Sequence, residues 1–284
     1  MNNNVQIFTG CNPTWCPGCG NHSIIGGLKS SLVQLNLTPS DIRIVFGIGC
    51  SGNMNDFLNA YAVHSLHGRA IPTGIGIKLA QHKAPVIVIA GDGDCYGEGG
   101  NHFMHACRGN HDIKVFIHNN GVYGLTTGQA SPTAQHGYVS KSTPKGIIEQ
   151  PLNPLSLAIT QGATFVAQTF TGDVDHMASI FGRAIHHRGF SLVNILQPCV
   201  TFNKINTFAY YQKNSYKIPS SYDAKNYEMS LKMASELNSF KFPLGVVYET
   251  ERPTYTDQIS HLKTKELVCR KPYAGYGELM KEFL

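Results

Sequence analysis

A carboxylate and an amide placed after two consecutive apolar runs can hold a hard cation. Here the pair is Asp92, within GDGD at 91–94, and Asn120, within NN at 119–120; they follow APVIVIA and IKVFIH. The 25 residues from 94 to 118 suffice for one crossover helix, so two neighbouring parallel strands would bring Asp92 and Asn120 side by side. Both offer oxygen, which Mg²⁺ demands, and Mg²⁺ usually shares its shell with substrate phosphates. Gly91 and Gly93 let the backbone approach a phosphate closely, and a helix beginning after them would aim its N-terminus at the anion. The ligand expected at this point is a diphosphate bridged to the protein by the metal. Gly-Asp-Gly alone is an ordinary turn, and Asn-Asn-Gly equally ends a strand. It is the two together, at this spacing, that carry the reading.

A second constellation is made of sulfur. NPTWCPGCGNHS (12–23) places Cys16 and Cys19 three apart in a Pro/Gly-rich turn, the usual first half of a tetrathiolate site. Cys50 and Cys199 each close an apolar run, so folding can bring them to the same edge. Cys16, Cys19, Cys50 and Cys199 are the expected ligand set, for an iron–sulfur cluster or for a closed zinc site; spacing alone leaves both open. Cys11, Cys95, Cys107 and Cys269 read as buried small hydrophobes or plain thiols. His102 and His105, three apart, lack a third ligand and read as an ordinary helix face.

The elements that must position these residues alternate. SIIGGLKSSLVQL (23–35) has helical spacing, and RIVFGIGC (43–50) is a β-branched run ending on glycines. A helix over 70–82, a strand over 84–94, a helix near 97–109 and a strand over 113–120 follow. Met177, Ile180, Phe181, Ala184 and Ile185 fall on one helical stripe, before the strand FSLVNILQPC. Strands that are apolar without alternation, interleaved with helices, predict an α/β fold: a mostly parallel sheet with helices on both faces. Ligands in such sheets lie beyond the carboxyl ends of the strands, where GIGCSGN, GDGDCYG, HNNGVYGL and LQPCVTFN converge. Past residue 200 the periodicity weakens, apart from a helix-like stretch at 225–239. The organisation expected is a ligand- and metal-binding domain over 1–200 and a C-terminal extension over 201–284, packed on the main domain or on a partner subunit.

Composition narrows the class. Of 284 residues 42% are hydrophobic and 14% charged, which argues against disorder. The formal charge of +5 comes without a Lys/Arg run interleaved with aromatics, so no nucleic-acid surface is expected, only a weak preference for acidic protein partners. The start MNNNVQIFTG lacks the charge and apolar core of a signal peptide, and no apolar run of about 18 residues could span a bilayer. The expected location is cytoplasmic, with no membrane contact, and the eight cysteines are then expected to be thiols or metal ligands.

Taken in order, PTWCPGCGNH, GIGCSG, LHGRAIPTGIGIK, GDGD, NNGVYGLTTGQASPT and the late QPC resemble the β subunit of two-subunit 2-oxoacid:ferredoxin oxidoreductases. The resemblance covers residues 12–200 closely and extends through PLGVVYETERPTY into the tail. It implies a thiamine diphosphate-binding fold in which Asp92, Asn120 and the backbone carbonyl of Val122 bind Mg²⁺, and in which the four chosen cysteines hold a 4Fe-4S cluster. It places Ile48, Gly49 and Ser51 near the cofactor, with Cys50 serving the cluster. His67 becomes a diphosphate contact, and Gly91, Gly93, Asp94, Gly124 and Leu125 line the pocket.

The activity implied is coenzyme A-dependent oxidative decarboxylation of a 2-oxoacid (pyruvate, 2-oxoglutarate or branched-chain) to acyl-CoA and CO₂, with single electrons passed through the cluster to ferredoxin. A non-oxidative thiamine decarboxylase or carboligase with structural zinc, or a non-catalytic zinc-binding module, are the competing readings. Thiamine enzymes generally use a glutamate against the aminopyrimidine, yet before residue 200 the chain has only Glu98, at the diphosphate end, and Glu149, in a proline-bounded loop. The activating carboxylate is therefore expected from an α subunit, in a heterodimer or dimer of heterodimers, and no catalytic residue is expected in this chain. Thr126 is expected as a substrate contact where many family members have Lys. A neutral hydroxyl removes a charge that would meet a second carboxylate, which argues against a preference for 2-oxoglutarate.

Overall fold

A computed structural model describes residues 4–263, 265–271 and 275–284. One eight-stranded sheet runs through the described residues in the order β2-β1-β3-β4-β8-β7-β10-β9. Its strands are β1 (Arg43–Phe46), β2 (Tyr61–His64), β3 (Val86–Gly91), β4 (Lys114–Asn119), β7 (Phe165–Phe170), β8 (Ser191–Leu196), β9 (Ser215–Lys217) and β10 (Phe242–Glu249). Every neighbouring pair is parallel except β10 against β7. A separate ribbon pairs β5 (Val122–Tyr123) with β6 (Gln129–Ala130). The helices that matter for packing are α1 (Asn21–Gln34), α2 (Met54–Phe57), α3 (Ala70–Ala80), α4 (Gly100–Gly109), α5 (Pro154–Thr160), α6 (Val174–His186), α7 (Phe208–Asn214) and α8 (Tyr227–Ser235).

Alternation along the strands divides the core in two. Ile44, Phe46, Ile87, Ile89, Phe116, Val193 and Ile195 join α1 and α6 on one face, and the ring of Phe116 stacks on Phe181 at 4.5 Å. Val45, Val86, Val88, Val115, Ile117 and Leu192 join α3, α4 and α5 on the other. Both faces are covered, which is why these strands read as continuous apolar runs. The expected stripe Met177, Ile180, Phe181, Ala184 and Ile185 is buried throughout.

The helix expected near 97–109 is split: a π-helical turn spans Gly93–Glu98 and α4 begins at Gly100. That turn starts directly after Asp92, with no extended residues between. Strands β2, β7 and β10 lie outside the segments that periodicity marked. β2 is a short edge strand with exposed residues. β7 carries buried Gln168, whose amide is paired with Asn194 of β8 (2.9 Å) and the Pro243 carbonyl of β10 (3.0 Å). β10 contains Pro243 and a bulge between Val246 and Tyr248. Through β9 and β10 the segment after residue 200 adds to the same sheet.

From β1 the chain turns outward to β2, and from β3 it turns the other way to β4. Their carboxyl ends therefore diverge and leave a crevice between Ile48–Ser51 and Gly91–Asp94, the usual ligand position in such a sheet.

Candidate functional site

The ends of β1, β3, β4 and, through Gln197, β8 build this crevice together with the ribbon. Ile48, Gly49, Cys50 and Ser51 come from the end of β1, Gly91–Asp94 from β3, Asn120 from β4, and Val122, Gly124, Leu125 and Thr126 from the ribbon; all line one cleft, together with His67. Sequence reasoning had selected each of these. It missed His118, Tyr123 and Gln197, which line the same cleft.

Asp92 is 1% exposed, and its Oδ2 accepts from the Gly121 N–H (3.0 Å), Ser131 Oγ (2.5 Å) and Thr133 Oγ1 (2.6 Å). Burial pushes its carboxyl above the usual carboxylate range, while these donors pull the other way. A buried carboxylate held in one rotamer by three donors, and still electrostatically uncompensated, is the chemistry that a bound cation relieves. Asn120 Oδ1 accepts from the Val122 N–H at 3.0 Å, so the expected oxygen donors are held together by the turn that follows β4.

Asp94 acts as a brace. Its Oδ1 accepts from the Gly68 N–H (2.6 Å) and lies 3.1 Å from His67 Nδ1, and its Oδ2 accepts from the Ile48 N–H (3.2 Å). Burial pushes this carboxyl up as well, against the Gly68 N–H and His67. A Cβ on Gly47 would lie 1.8 Å from Asp94 Oδ2, so only glycine allows the brace to reach the end of β1. Glu98 lies 3.3 Å from both His67 Nδ1 and the Tyr123 hydroxyl, at the same end as Asp94. Thr126 donates to Gln129 Oε1 at 2.6 Å, and the next residue, Thr127, holds a left-handed φ of 78°. That conformation is uncommon for a β-branched residue and marks this tight turn as constrained by its surroundings.

The four cysteines gather on the other side of a shared wall. Cys16, Cys19, Cys50 and Cys199 border a cavity of about 230 Å³ that also touches Cys50, Asn120, Gly124, Leu125 and Gln197 of the first cleft. Trp15 Nε1 donates to the Cys50 carbonyl at 2.6 Å, and the Cys19 N–H donates to the Cys16 carbonyl at 3.0 Å; these bonds shape the CxxC turn. A Cβ on Gly124 would lie 3.4 Å from Cys50 Sγ and 3.9 Å from Cys199 Sγ, ordinary contact distances, so this residue of the wall packs directly beside both thiols. Burial and the neighbouring thiols push Cys50 up to about 11. Burial also raises Cys19, with the Cys199 and Cys16 charges adding and the Asn21 N–H and Gln197 amide opposing. Among the described residues, no three His, Cys, Asp or Glu side chains are arranged to hold a single metal ion. All four thiols nevertheless face one cavity, the shared placement that a tetrathiolate site needs.

The remaining candidates lie apart from this wall. Cys95 and Cys107 are buried, and Cys11 and Cys269 are exposed. Among the described residues no helix is long and apolar enough to cross a membrane.

Comparisons with known proteins give the chain's relatives. Residues 47–195 match the family described as thiamine pyrophosphate enzyme, C-terminal TPP binding domain, and residues 199–264 match the family describing the C-terminal part of the pyruvate ferredoxin oxidoreductase beta subunit. The chain is 45% identical to the 2-oxoacid:ferredoxin oxidoreductase subunit beta of Saccharolobus solfataricus, over 87% of this chain and 85% of that one. It is 42% identical to 2-oxoacid:ferredoxin oxidoreductase 1, subunit beta, of Aeropyrum pernix, over 87% and 81%. Among solved structures, a 2-oxoglutarate:ferredoxin oxidoreductase from Magnetococcus marinus with 2-oxoglutarate, coenzyme A and succinyl-CoA bound superimposes with a TM-score of 0.92. That match has 34% identity and covers 99% of this chain and 96% of the other.

Proposed function

The chain belongs to the family of 2-oxoacid:ferredoxin oxidoreductase beta subunits, and from that premise we propose that its cleft holds thiamine diphosphate through Mg²⁺ while its four cysteines hold a 4Fe-4S cluster. The reaction is the coenzyme A-dependent oxidative decarboxylation of a 2-oxoacid, with ferredoxin as the electron acceptor. The observation that carries this reading is the shared wall: Gly124, Leu125 and Gln197 border both cavities, so a donor in one and an acceptor in the other are neighbours.

Asp92 and Asn120, with the Val122 carbonyl, supply the oxygens that suit Mg²⁺. His67, fixed by Asp94 at 3.1 Å, faces the diphosphate end, as do the first N–H groups of the turn beginning at Gly93. Thiamine diphosphate supplies the carbanion chemistry that cleaves the bond to the substrate carboxyl, and the cluster supplies a one-electron acceptor. The residues of this chain bind, orient and shield. Glu98 is engaged with His67 and Tyr123 at the diphosphate end, which leaves the carboxylate that activates the aminopyrimidine to an α subunit.

Anaerobic viologen reduction tests the proposal. The complex with the α subunit is expected to reduce the dye with pyruvate, 2-oxoglutarate or a branched-chain 2-oxoacid, dependent on coenzyme A and thiamine diphosphate, while the isolated chain shows no decarboxylation. Full turnover by the isolated chain would refute the assignment of the activating carboxylate to a partner.

A further inference from the structure

One buried side chain faces both cavities and belongs to neither expected ligand set. Gln197 is 1% exposed and follows β8, where its N–H donates to the Asn119 carbonyl at 2.9 Å and Pro198 restricts its backbone to extended conformations. A Cβ on Gly20 would lie 2.6 Å from Gln197 Cγ, so the glycine after Cys19 is what admits this side chain to the CxxC turn. There Gln197 Nε2 donates to Cys19 Sγ at 3.5 Å and to Asn21 Oδ1 at 2.9 Å. Among the described residues it is the one side-chain donor to any of the four sulfurs.

The orientation of the amide follows from its neighbours. Asn21 Nδ2 donates to the Cys50 carbonyl (3.4 Å), so its Oδ1 is the acceptor for Gln197 and also for His118 Nδ1, 2.7 Å away. His118 is therefore the Nδ1–H tautomer with a bare Nε2. That nitrogen and Gln197 Oε1 are buried without partners among the described residues, and both side chains line the cofactor cleft.

We propose that Gln197 is a positioning residue that raises the reduction potential of the centre held by Cys19 through its N–H···S hydrogen bond, and that Asn21, itself held by His118 of the cofactor cleft, locks it in place. The inference rests on the 4Fe-4S reading above. A reduced cluster carries one more negative charge than an oxidised one, so a donor to its sulfur stabilises the reduced form more, and hydrogen bonds to the sulfurs are among the levers that set such potentials.

The test uses the complex of this chain with its α subunit, prepared anaerobically. Gln197→Leu is expected to retain its iron and sulfide but to show a more negative midpoint potential in an EPR-monitored redox titration. The control is Thr171→Val: Thr171 is buried beside Gly20, its hydroxyl has no partner among the described residues, and it donates to no cysteine. Its midpoint should match wild type. In wild type, protons coupled to the reduced cluster should exchange in D₂O and be detected by ENDOR, and Gln197→Leu should lose one of them while keeping that of the Asn21 N–H. An unchanged midpoint with an intact cluster overturns the proposal, as does an equal shift in Thr171→Val. If Gln197→Leu fails to load a cluster, Gln197→Met, which keeps the length of the side chain but has no N–H, is titrated in its place: a more negative midpoint supports the bond and an unchanged one overturns it. A wild-type complex that carries zinc in place of iron defeats the cluster reading itself, and this assignment with it.

Discussion

His118 gives the cofactor cleft a predictable pH signature. Burial pushes its imidazole down to about 3, so in the folded protein it stays neutral through the acid range. In the unfolded chain it takes up a proton near the usual value of about 6.5. The unfolded state therefore binds more protons below that value, and stability falls as pH falls. At pH 5 the difference is about 1.5 pH units, or about 2 kcal/mol at about 1.36 kcal/mol per unit; at pH 7.5 it is close to zero. The comparison variant is His118→Asn, which keeps a donor where Nδ1–H meets Asn21 Oδ1 but cannot titrate. Urea denaturation of the ligand-free protein at pH 7.5 and pH 5 should show a loss of stability that is larger in wild type than in the variant by about 2 kcal/mol. Carboxylates and other histidines contribute to both proteins and cancel in the difference. Equal losses would refute a neutral, buried His118, and with it the tautomer that locks Asn21 and Gln197.

Other consequences are equally direct. Asp112 bridges two buried ammoniums, Lys78 at 2.7 Å and Lys114 at 2.6 Å; burial alone would raise its carboxyl, but the two cations hold it well below the usual range. Asp112→Asn leaves both charges without their partner and should cost about 3–5 kcal/mol, a Tm drop of roughly 10 °C by calorimetry. Because that carboxyl is depressed in the fold, the wild-type contribution is fully present above about pH 4 and disappears as pH falls further, through the lower folded value. Asp92→Asn should weaken Mg²⁺-dependent retention of thiamine diphosphate at least tenfold by titration calorimetry, while leaving the ligand-free Tm unchanged or raised, because a costly buried charge is removed. A fall in Tm without loss of affinity would assign Asp92 a structural role.

The strand ends were legible in the sequence because chemistry and folding leave the same mark there. An apolar strand buried on both faces is a continuous run, and polar residues first become tolerable where it ends, as at Asp92 and Asn120. Cys50 and Cys199 were readable by the same rule, although Cys16 and Cys19 lie far from both in sequence. What escaped has physical reasons. Gln168 hides β7 because its amide is satisfied across strands, and Pro243 and the bulge disguise β10. His118 and Gln197 escaped because each is a lone polar residue at the end of an apolar run. Their importance appears only when Asn21, from a distant helix, bonds to both. A polar side chain just before a strand-end motif was the available signal.

Anomalous diffraction from crystals of the complex, recorded at the iron and zinc absorption edges, tests the shared wall most directly. The account predicts an iron signal inside the cavity bordered by Cys16, Cys19, Cys50 and Cys199, with thiamine diphosphate and Mg²⁺ at Asp92 and Asn120 across Gly124 and Gln197. Zinc in that cavity, or iron outside it, would contradict the account.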